Sequence, residues 1–141
     1  MLIQDIMNNP VLSQYLCNDC EENGIGVSVH SDIQQGDYVI IKVDDYFNKE
    51  IHPNPAGNDC LIVQRCVDNR YKVYLIELKN IQTLRHYDLS HIRDKFQNCF
   101  DILMSDKFRS YFYDPNQANS IFKCNRLINR FLVIKSQKAI K

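Results

Sequence analysis

Two acidic residues and one lysine occupy positions from which they could act together. Asp59 precedes one apolar run, and Glu77 and Lys79 end a second, with 17 residues (60–76) between Asp59 and Glu77. Side chains of a strand alternate between its two faces, so Glu77 and Lys79 share a side if residues 71–80 form a strand. Charged side chains are rarely buried unless they are paired or hold a metal. The three residues are therefore a candidate site.

These residue types suit the hydrolysis of a phosphodiester. The carboxylates of Asp59 and Glu77 are suitable ligands for Mg²⁺ or Mn²⁺, and the backbone carbonyl of Leu78 offers a further oxygen. A divalent cation lowers the pKa of a bound water and offsets negative charge on the phosphate. The ammonium group of Lys79 can orient that water or stabilise the developing charge.

A β-hairpin is the element that would bring the three residues together. The runs DCLIVQRCV and YKVYLIELKN are rich in β-branched and aromatic residues, and they flank a polar turn at residues 68–69. Counting outward from that turn pairs Asp59 with Leu78, one residue from Glu77. The spacing predicts that Asp59 faces the other two residues across the hairpin.

The residues before this hairpin predict a helix, a strand and a loop. Asn9 is a favourable N-cap and Pro10 a favourable first helical residue, so a first helix is expected to run from there to Gly24. A β-rich run predicts a strand over residues 38–44. The two prolines and the glycine of residues 48–58 predict a loop.

The residues after the hairpin predict a second helix and a last strand. Apolar residues recur at spacings of three and four from Tyr87 to Met104, which is typical of an amphipathic helix. The run over residues 130–136 is typical of a strand. The whole chain, residues 1–141, is thus predicted to be one α/β domain, in which a mixed central sheet with the order helix, three strands, helix, strand is flanked by helices.

This pattern resembles that of the PD-(D/E)XK nuclease superfamily. Its members carry an Asp on one strand and Glu-x-Lys on the next, as GND ending at Asp59 and IELK over residues 76–79 do here, and their core has the same order of elements. The resemblance implies a restriction-endonuclease-like fold in which Asp59 and Glu77 hold Mg²⁺ or Mn²⁺ and Lys79 is the catalytic lysine. Gln97 matches a glutamine that some branches place near the active site.

The chain departs from the family pattern at two points. Asn58 stands where members of the family often have proline. The family also often supplies a further Glu from its first helix. The candidates for this further acid are Glu21, Glu22, Asp44, Asp45 and Glu50.

The resemblance leaves two functions open. The first is a metal-dependent nuclease, with DNA as the expected substrate. The second is a catalytically inactive nucleic-acid-binding or assembly subunit of a larger defence, repair or recombination complex. A chain of 141 residues has little room for a separate module that reads base sequence, so specificity would come from a homodimer or a partner subunit.

Charge and local composition are open to more than one interpretation. Residues 1–70 carry 4 Lys and Arg against 11 Asp and Glu, and residues 71–141 carry 13 against 6. This asymmetry is consistent with contact to nucleic acid or with solvated faces. His86, His91 and Lys95 fit a phosphate-facing helix or a solvated one. The aromatic residues within 108–113 fit base stacking or packing in a core or dimer.

The six cysteines are expected to be free thiols in a reducing cytoplasm. The N-terminal residues lack the basic and then apolar pattern of a signal peptide, and most cysteines occupy apolar positions of predicted elements. Cys17 and Cys20 form a CxxC, but no second such motif accompanies it as in a zinc site. No uncharged apolar window reaches the length of a membrane span, so no membrane association is expected.

Overall fold

A computed structural model describes residues 2–22, 24–67, 70–81, 89–114 and 128–136 of the chain. The elements in chain order are α1 (Leu2–Asn8), a 3-10 turn (Leu12–Tyr15), β1 (Leu16–Cys17), β2 (Cys20–Glu22), β3 (Ile25–Val27), a second 3-10 turn (Gln35–Asp37), β4 (Tyr38–Lys42), α2 (Val43–Glu50), β5 (Cys60–Arg65), β6 (Tyr71–Ile81), α3 (Leu89–Asn98), a π-helix (Cys99–Lys107), α4 (Arg109–Phe112) and β7 (Asn129–Ser136).

Five strands form one mixed sheet in the order β1-β4-β5-β6-β7. β4, β5 and β6 are an antiparallel meander, and β7 pairs with β6 in parallel. A parallel pair requires a crossover connection, and the connection between β6 and β7 contains α3. The predicted α/β class and the mixed sheet flanked by helices are confirmed.

The β5–β6 hairpin has a register one residue away from the predicted one. Cys60 pairs with Ile76 and Arg65 with Tyr71. Continuing this ladder by one residue puts Asp59 opposite Glu77, whereas the predicted partner of Asp59 was Leu78. The prediction assumed a two-residue turn, whereas residues 66–70 connect the strands, and residues 68–69 at the predicted turn lie outside the described part of the chain.

The central strands are buried on both faces because the sheet separates two apolar clusters. One cluster packs against the helices and includes the sheet residues Val39, Ile41, Leu61, Val63, Val73 and Leu75. The other packs against the separate two-stranded hairpin of β2 and β3 and includes Ile40, Ile62, Ile76 and Leu78. One face of the sheet is therefore covered by helices and the other by a small hairpin.

The first predicted helix, from Asn9 to Gly24, is wrong. Asn9 does accept hydrogen bonds from the N–H groups of Val11 and Leu12, both at 2.9 Å, but the turn it begins ends at Tyr15. The chain then extends, and Leu16 joins the edge of the sheet opposite Ile41. Tertiary pairing has overridden a local pattern that favours a helix.

The helix α2 replaces the end of the predicted first strand and the start of the predicted loop. Its buried residues Val43, Tyr46 and Phe47 have the spacing of one helical face. Asp44 and Asp45 lie in its first turn, where negative charge is favourable near the helix N-terminus. The predicted strand therefore ends at Lys42, and the loop begins only after Glu50.

The amphipathic helix predicted from residue 87 is confirmed over its described part. Its buried residues Ile92 and Phe96 lie on α3, and Cys99 and Leu103 lie on the π-helix that continues it. Residues 82–88, which include His86 and the predicted helix start, lie outside the described residues.

The last predicted strand is confirmed as β7. Its bounds, Asn129–Ser136, begin one residue before the predicted ones. In the aromatic stretch, the helix α4 buries Phe112 completely in the helical cluster. For this residue packing in the core, rather than base stacking, is the observed role.

The expectation that all cysteines are free thiols is wrong. Cys20 and Cys60, both fully buried, form a disulfide with an S–S distance of 2.13 Å, whereas Cys17, Cys66 and Cys99 are free. The prediction treated apolar positions as isolated small hydrophobes and could not see that two of them meet between the hairpin and the sheet. Within the described ranges, no helix is long and apolar enough to cross a membrane.

Candidate active site

The structure brings Asp59, Glu77 and Lys79 together at one end of the sheet. Asp59 directly precedes β5, and the other two lie where β6 extends beyond its last pair with β5. Val73 and Leu75 of β6 face the helical cluster, and residues at every second position of a strand share a face. Glu77 and Lys79 therefore lie on the face that the helices cover.

Asp59 is fixed by hydrogen bonds from two sides. Its carbonyl oxygen accepts from the N–H of Val43 at the start of α2 (3.1 Å), and its Oδ2 accepts from the N–H of Leu78 (2.6 Å). Burial raises the pKa of Asp59, but hydrogen bonds, first from Glu22 and then from Leu78 and Glu77, lower it by more. The net direction is downward, so Asp59 is the group of this cluster that remains ionised most readily.

Glu77 is almost fully buried and is held by two lysines. The same oxygen, Oε2, lies 2.7 Å from Nζ of Lys95 on α3 and 3.6 Å from Nζ of Lys79. Burial raises the pKa of Glu77, the hydrogen bond from Lys95 lowers it, and Asp59 raises it, with a net upward direction. Burial lowers the pKa of Lys95, but its bonds to Glu77 and Lys79 raise it above the ordinary value, so Lys95 stays protonated.

Two further acids complete the cluster from other elements. Glu22 ends β2, and Asp44 lies in the first turn of α2. Carboxylate oxygens of Glu22, Asp44 and Asp59 all lie within 4.8 Å of one another. A hydrogen bond with Asp59, followed by burial and the charge of Asp59, raises the pKa of Glu22 to about 7. The same hydrogen bond lowers the pKa of Asp59, so the pKa values of the two acids are shifted in opposite directions.

The structure separates the five candidates for the further acid. Glu22 and Asp44 reach Asp59, as described above. Glu21, the neighbour of Glu22, is exposed and lines a different, smaller cavity. Asp45 is exposed, and Glu50 accepts a hydrogen bond from the hydroxyl of Tyr15 at 2.6 Å.

The four acids and two lysines line one cavity of about 420 Å³. The rest of its wall comes from Leu78, from Asn48 of α2 and from the loop residues Asn54, Pro55, Ala56 and Gly57. Asn98 of α3 donates a hydrogen bond from Nδ2 to the carbonyl oxygen of Ala56 (2.8 Å), which joins this loop to the helix that carries Lys95. The cavity is therefore built by the main sheet, the β2–β3 hairpin, two helices and the loop together.

Asn58, the residue before Asp59, joins the two strands of the hairpin. It is fully buried, and its Nδ2 donates to the carbonyl oxygens of Cys60 (2.7 Å) and Ile76 (3.2 Å). Its Oδ1 has no hydrogen-bond partner among the residues that the structure describes. The residue before Asp59 thus fixes the distance between β5 and β6 through its side chain.

The structure does not bring Gln97 to this cavity. Gln97 is exposed, and its Nε2 donates to Asp101 one helical turn further on, at 3.0 Å. Lys95 takes part instead. The signal for it was its position between Ile92 and Phe96, the two buried residues of α3, which puts it near the side of the helix that faces the sheet.

The cavity combines a group of three carboxylates with two ammonium groups. Oxygen ligands grouped as in Glu22, Asp44 and Asp59 suit Mg²⁺ or Mn²⁺, and a bound divalent cation would favour the ionised forms of these acids. Lys79 and Lys95 present two ammonium groups in the same cavity, which suits a phosphate.

Comparison with models of protein families, with curated proteins and with solved structures finds no match to this chain.

Proposed function

We propose that this protein is a metal-dependent phosphodiesterase that cleaves nucleic acid, with DNA as its substrate. The observation that carries the proposal is the single cavity in which four carboxylates and two ammonium groups converge on the ends of β5 and β6. The charge of Lys42 lowers the pKa of each of the three grouped acids, Glu22, Asp44 and Asp59, and so favours their ionised forms. A site for a cation and a phosphate needs both carboxylates and ammonium groups, and this cavity supplies both. The order of elements, a meander of three strands followed by a helix and a parallel strand, agrees with the PD-(D/E)XK resemblance.

The residues that would hold Mg²⁺ or Mn²⁺ are Asp59, Glu22 and Asp44, with Glu77 beside them. The cation would supply a water of lowered pKa and would offset charge on the phosphate. Asp59 suits the central place because its net pKa shift is downward and its Oδ2 is already fixed by the N–H of Leu78. The carbonyl of Leu78 is the further ligand that the sequence suggests.

The two lysines would bind the phosphodiester and stabilise the charge that develops on it. Lys95 remains protonated because its pKa is raised, so it acts as a fixed positive charge and does not accept a proton. Oε2 of Glu77 contacts both ammonium groups, and these contacts keep the two lysines beside Glu77. Lys79 is the residue that the family resemblance makes catalytic, and Lys95 supports the same charge from the helix.

A DNA cleavage assay with matched variants tests the proposal. Supercoiled plasmid, linear duplex, single-stranded DNA and RNA are incubated with Mg²⁺, Mn²⁺ or EDTA. We expect cleavage that depends on the metal and that falls about 100-fold or more in Asp59→Asn, Glu77→Gln and Lys79→Met. Asp59→Asn is preferred to Ala because it keeps an oxygen to accept from Leu78.

Two surface variants serve as matched controls. Lys72→Met lies on the same strand as Lys79 but is exposed, and Asp94→Asn is an exposed acid on α3 next to Lys95. Both should retain full activity. If no substrate is cleaved with either metal, or if the cleavage persists in the Asp59 and Glu77 variants, the enzymatic proposal is refuted. DNA binding without cleavage would favour the inactive binding subunit.

A further inference from the structure

The acid Glu22 reaches the site from an element that does not belong to the main sheet. β2 and β3 form a separate two-stranded sheet, in which Cys20 pairs with Val27 and Glu22 with Ile25. Two-stranded hairpins of this length are at best marginally stable alone in water. The position of Glu22 therefore depends on how this hairpin is attached to the rest of the protein.

Two kinds of attachment hold the hairpin on the sheet. Ile25 packs in the apolar cluster with Ile40 and Ile62. The second attachment is covalent, because Cys20 is bonded to Cys60 with a Cα–Cα distance of 6.0 Å.

The disulfide lies next to the acidic cluster on both of its chain segments. Cys60 directly follows Asp59, and Cys20 is two residues before Glu22 on the same strand. Because Cys20 and Glu22 occupy alternate positions of β2, they share a face, and Cys20 uses that face to contact β5. Fixing Cys20 on Cys60 thus places Glu22 at the end of β5, where its carboxylate meets that of Asp59.

We infer that the Cys20–Cys60 disulfide positions Glu22 against Asp59, so that its reduction opens the acidic cluster and weakens divalent-cation binding. Reduction breaks the Sγ–Sγ bond and adds two electrons and two protons, leaving two thiols. A dithiol such as dithiothreitol supplies both and is itself oxidised to its cyclic disulfide. The effect on the cation rests on the function proposed above, whereas the effect on the hairpin does not.

The first arm of the test follows the hairpin without any metal. Amide hydrogen exchange is measured for residues 20–27 in oxidised protein, in protein reduced with dithiothreitol, and in the double variant Cys20→Ser/Cys60→Ser. We expect faster exchange in the hairpin of the reduced protein and the double variant, with exchange in β5 and β6 unchanged. Cys66→Ser, which removes a free thiol outside the cavity, controls for other effects of the reductant and should behave as the wild type does.

The second arm measures Mn²⁺ binding by calorimetry in the same samples. We expect binding roughly 10- to 100-fold weaker once the disulfide is open, as for loss of a group that orients a metal ligand. If both hairpin exchange and Mn²⁺ affinity are the same with the disulfide open and closed, the inference is overturned. The absence of a Cys20–Cys60 cross-linked peptide in oxidised protein also overturns it.

The outcomes separate this inference from the proposed function. If oxidised protein neither binds Mn²⁺ nor cleaves DNA, the proposed function fails, and hairpin exchange alone decides whether the disulfide positions β2. If the double variant does not fold, reduced wild-type protein gives the answer. If oxidised protein binds Mn²⁺ and reduction changes nothing, the inference fails while the proposed function stands.

Discussion

The wall of the cavity is so closely packed at Gly57 that the substitution Gly57→Ala is a sharp test of the structure. A Cβ at this position would lie 2.6 Å from Cδ2 and 3.2 Å from Cε2 of Phe47. Carbon atoms in contact prefer about 3.5–4.0 Å, so one of the two groups must move by about 1 Å. Phe47 is fully buried on α2 and packs against Tyr46, which leaves its ring little room to move. The loop that carries Asp59 would therefore be displaced.

The expected cost follows from a comparison with Gly36→Ala. Overpacking of this kind costs about 1–3 kcal/mol. Gly36 has no atom within 4 Å of an added Cβ, so its substitution shows the effect of replacing glycine without the clash. Since both variants gain similarly from a less flexible unfolded chain, the difference between them isolates the contact with Phe47. With a urea dependence of about 2 kcal/mol per M, that difference is a midpoint shift of about 0.5–1.5 M.

Urea unfolding followed by circular dichroism measures this shift. Gly57→Ala should have the lower midpoint and a slope similar to that of the wild type. In Phe47→Leu/Gly57→Ala the smaller side chain should relieve part of the clash, which appears as a coupling energy in a double-mutant cycle. Equal midpoints for Gly57→Ala and Gly36→Ala would refute the close packing and, with it, the described position of the cavity wall.

Three further predictions concern the acids, a tyrosine and the core. Glu22→Gln should weaken Mn²⁺ binding roughly 10- to 100-fold in calorimetry, because it removes one of the three grouped carboxylates. The urea midpoint should stay the same, because the amide of Gln can still donate a hydrogen bond to Asp59. Glu21→Gln, at an exposed residue outside the cavity, should leave both quantities unchanged. The hydrogen bond from Tyr15 to Glu50 raises the pKa of Tyr15 from 10.0 to about 12. The stability that this bond contributes is therefore complete below pH 10 and is lost between pH 10 and 12. Across that interval the urea midpoint of the wild type should fall by more than that of Tyr15→Phe. Phe112→Ala, at a fully buried position, should lower the free energy of unfolding by about 3–5 kcal/mol, and an unchanged midpoint would show that α4 does not pack as described.

The parts of the fold that were predictable depend on local patterns. The apolar runs of β5 and β6 and the helical spacing of α3 are visible within a few residues, so their type was predicted correctly. The meeting of Asp59 with Glu77 and Lys79 required only the approximate length of one hairpin. The register was wrong by one residue because the length of the connection was wrong. The two strands have the same sequence pattern whether a two-residue turn or the five residues 66–70 connect them, so the pattern does not fix the register.

The parts that were not predictable depend on contacts between distant segments. Residues 10–24 favour a helix locally, yet β1 pairs with β4, and Cys20 of β2 is bonded to Cys60, 40 residues away. Glu22, rather than Glu21, reaches Asp59 because it lies on the same face of β2 as Cys20, which is bonded to Cys60. The sequence of β2 alone does not show this bond. That Lys95 faces the sheet could have been predicted, because the buried face of α3 was predicted. That Lys95 would pair with Glu77 could not, because this pairing depends on how α3 packs on the sheet.

The parallel pairing of β6 with β7 has a consequence for the order in which the cavity can form. The part of β6 beyond the β5 ladder pairs with β7 alone, with Glu77 opposite Leu132 and Lys79 opposite Ile134. During synthesis the acids and the lysines of the cavity leave the ribosome well before β7 does. Until then one edge of β6 is unpaired at Glu77 and Lys79, although every residue that lines the cavity has already been synthesised. The pairing that covers this edge joins segments more than 50 residues apart, and such distant pairings are slow to form.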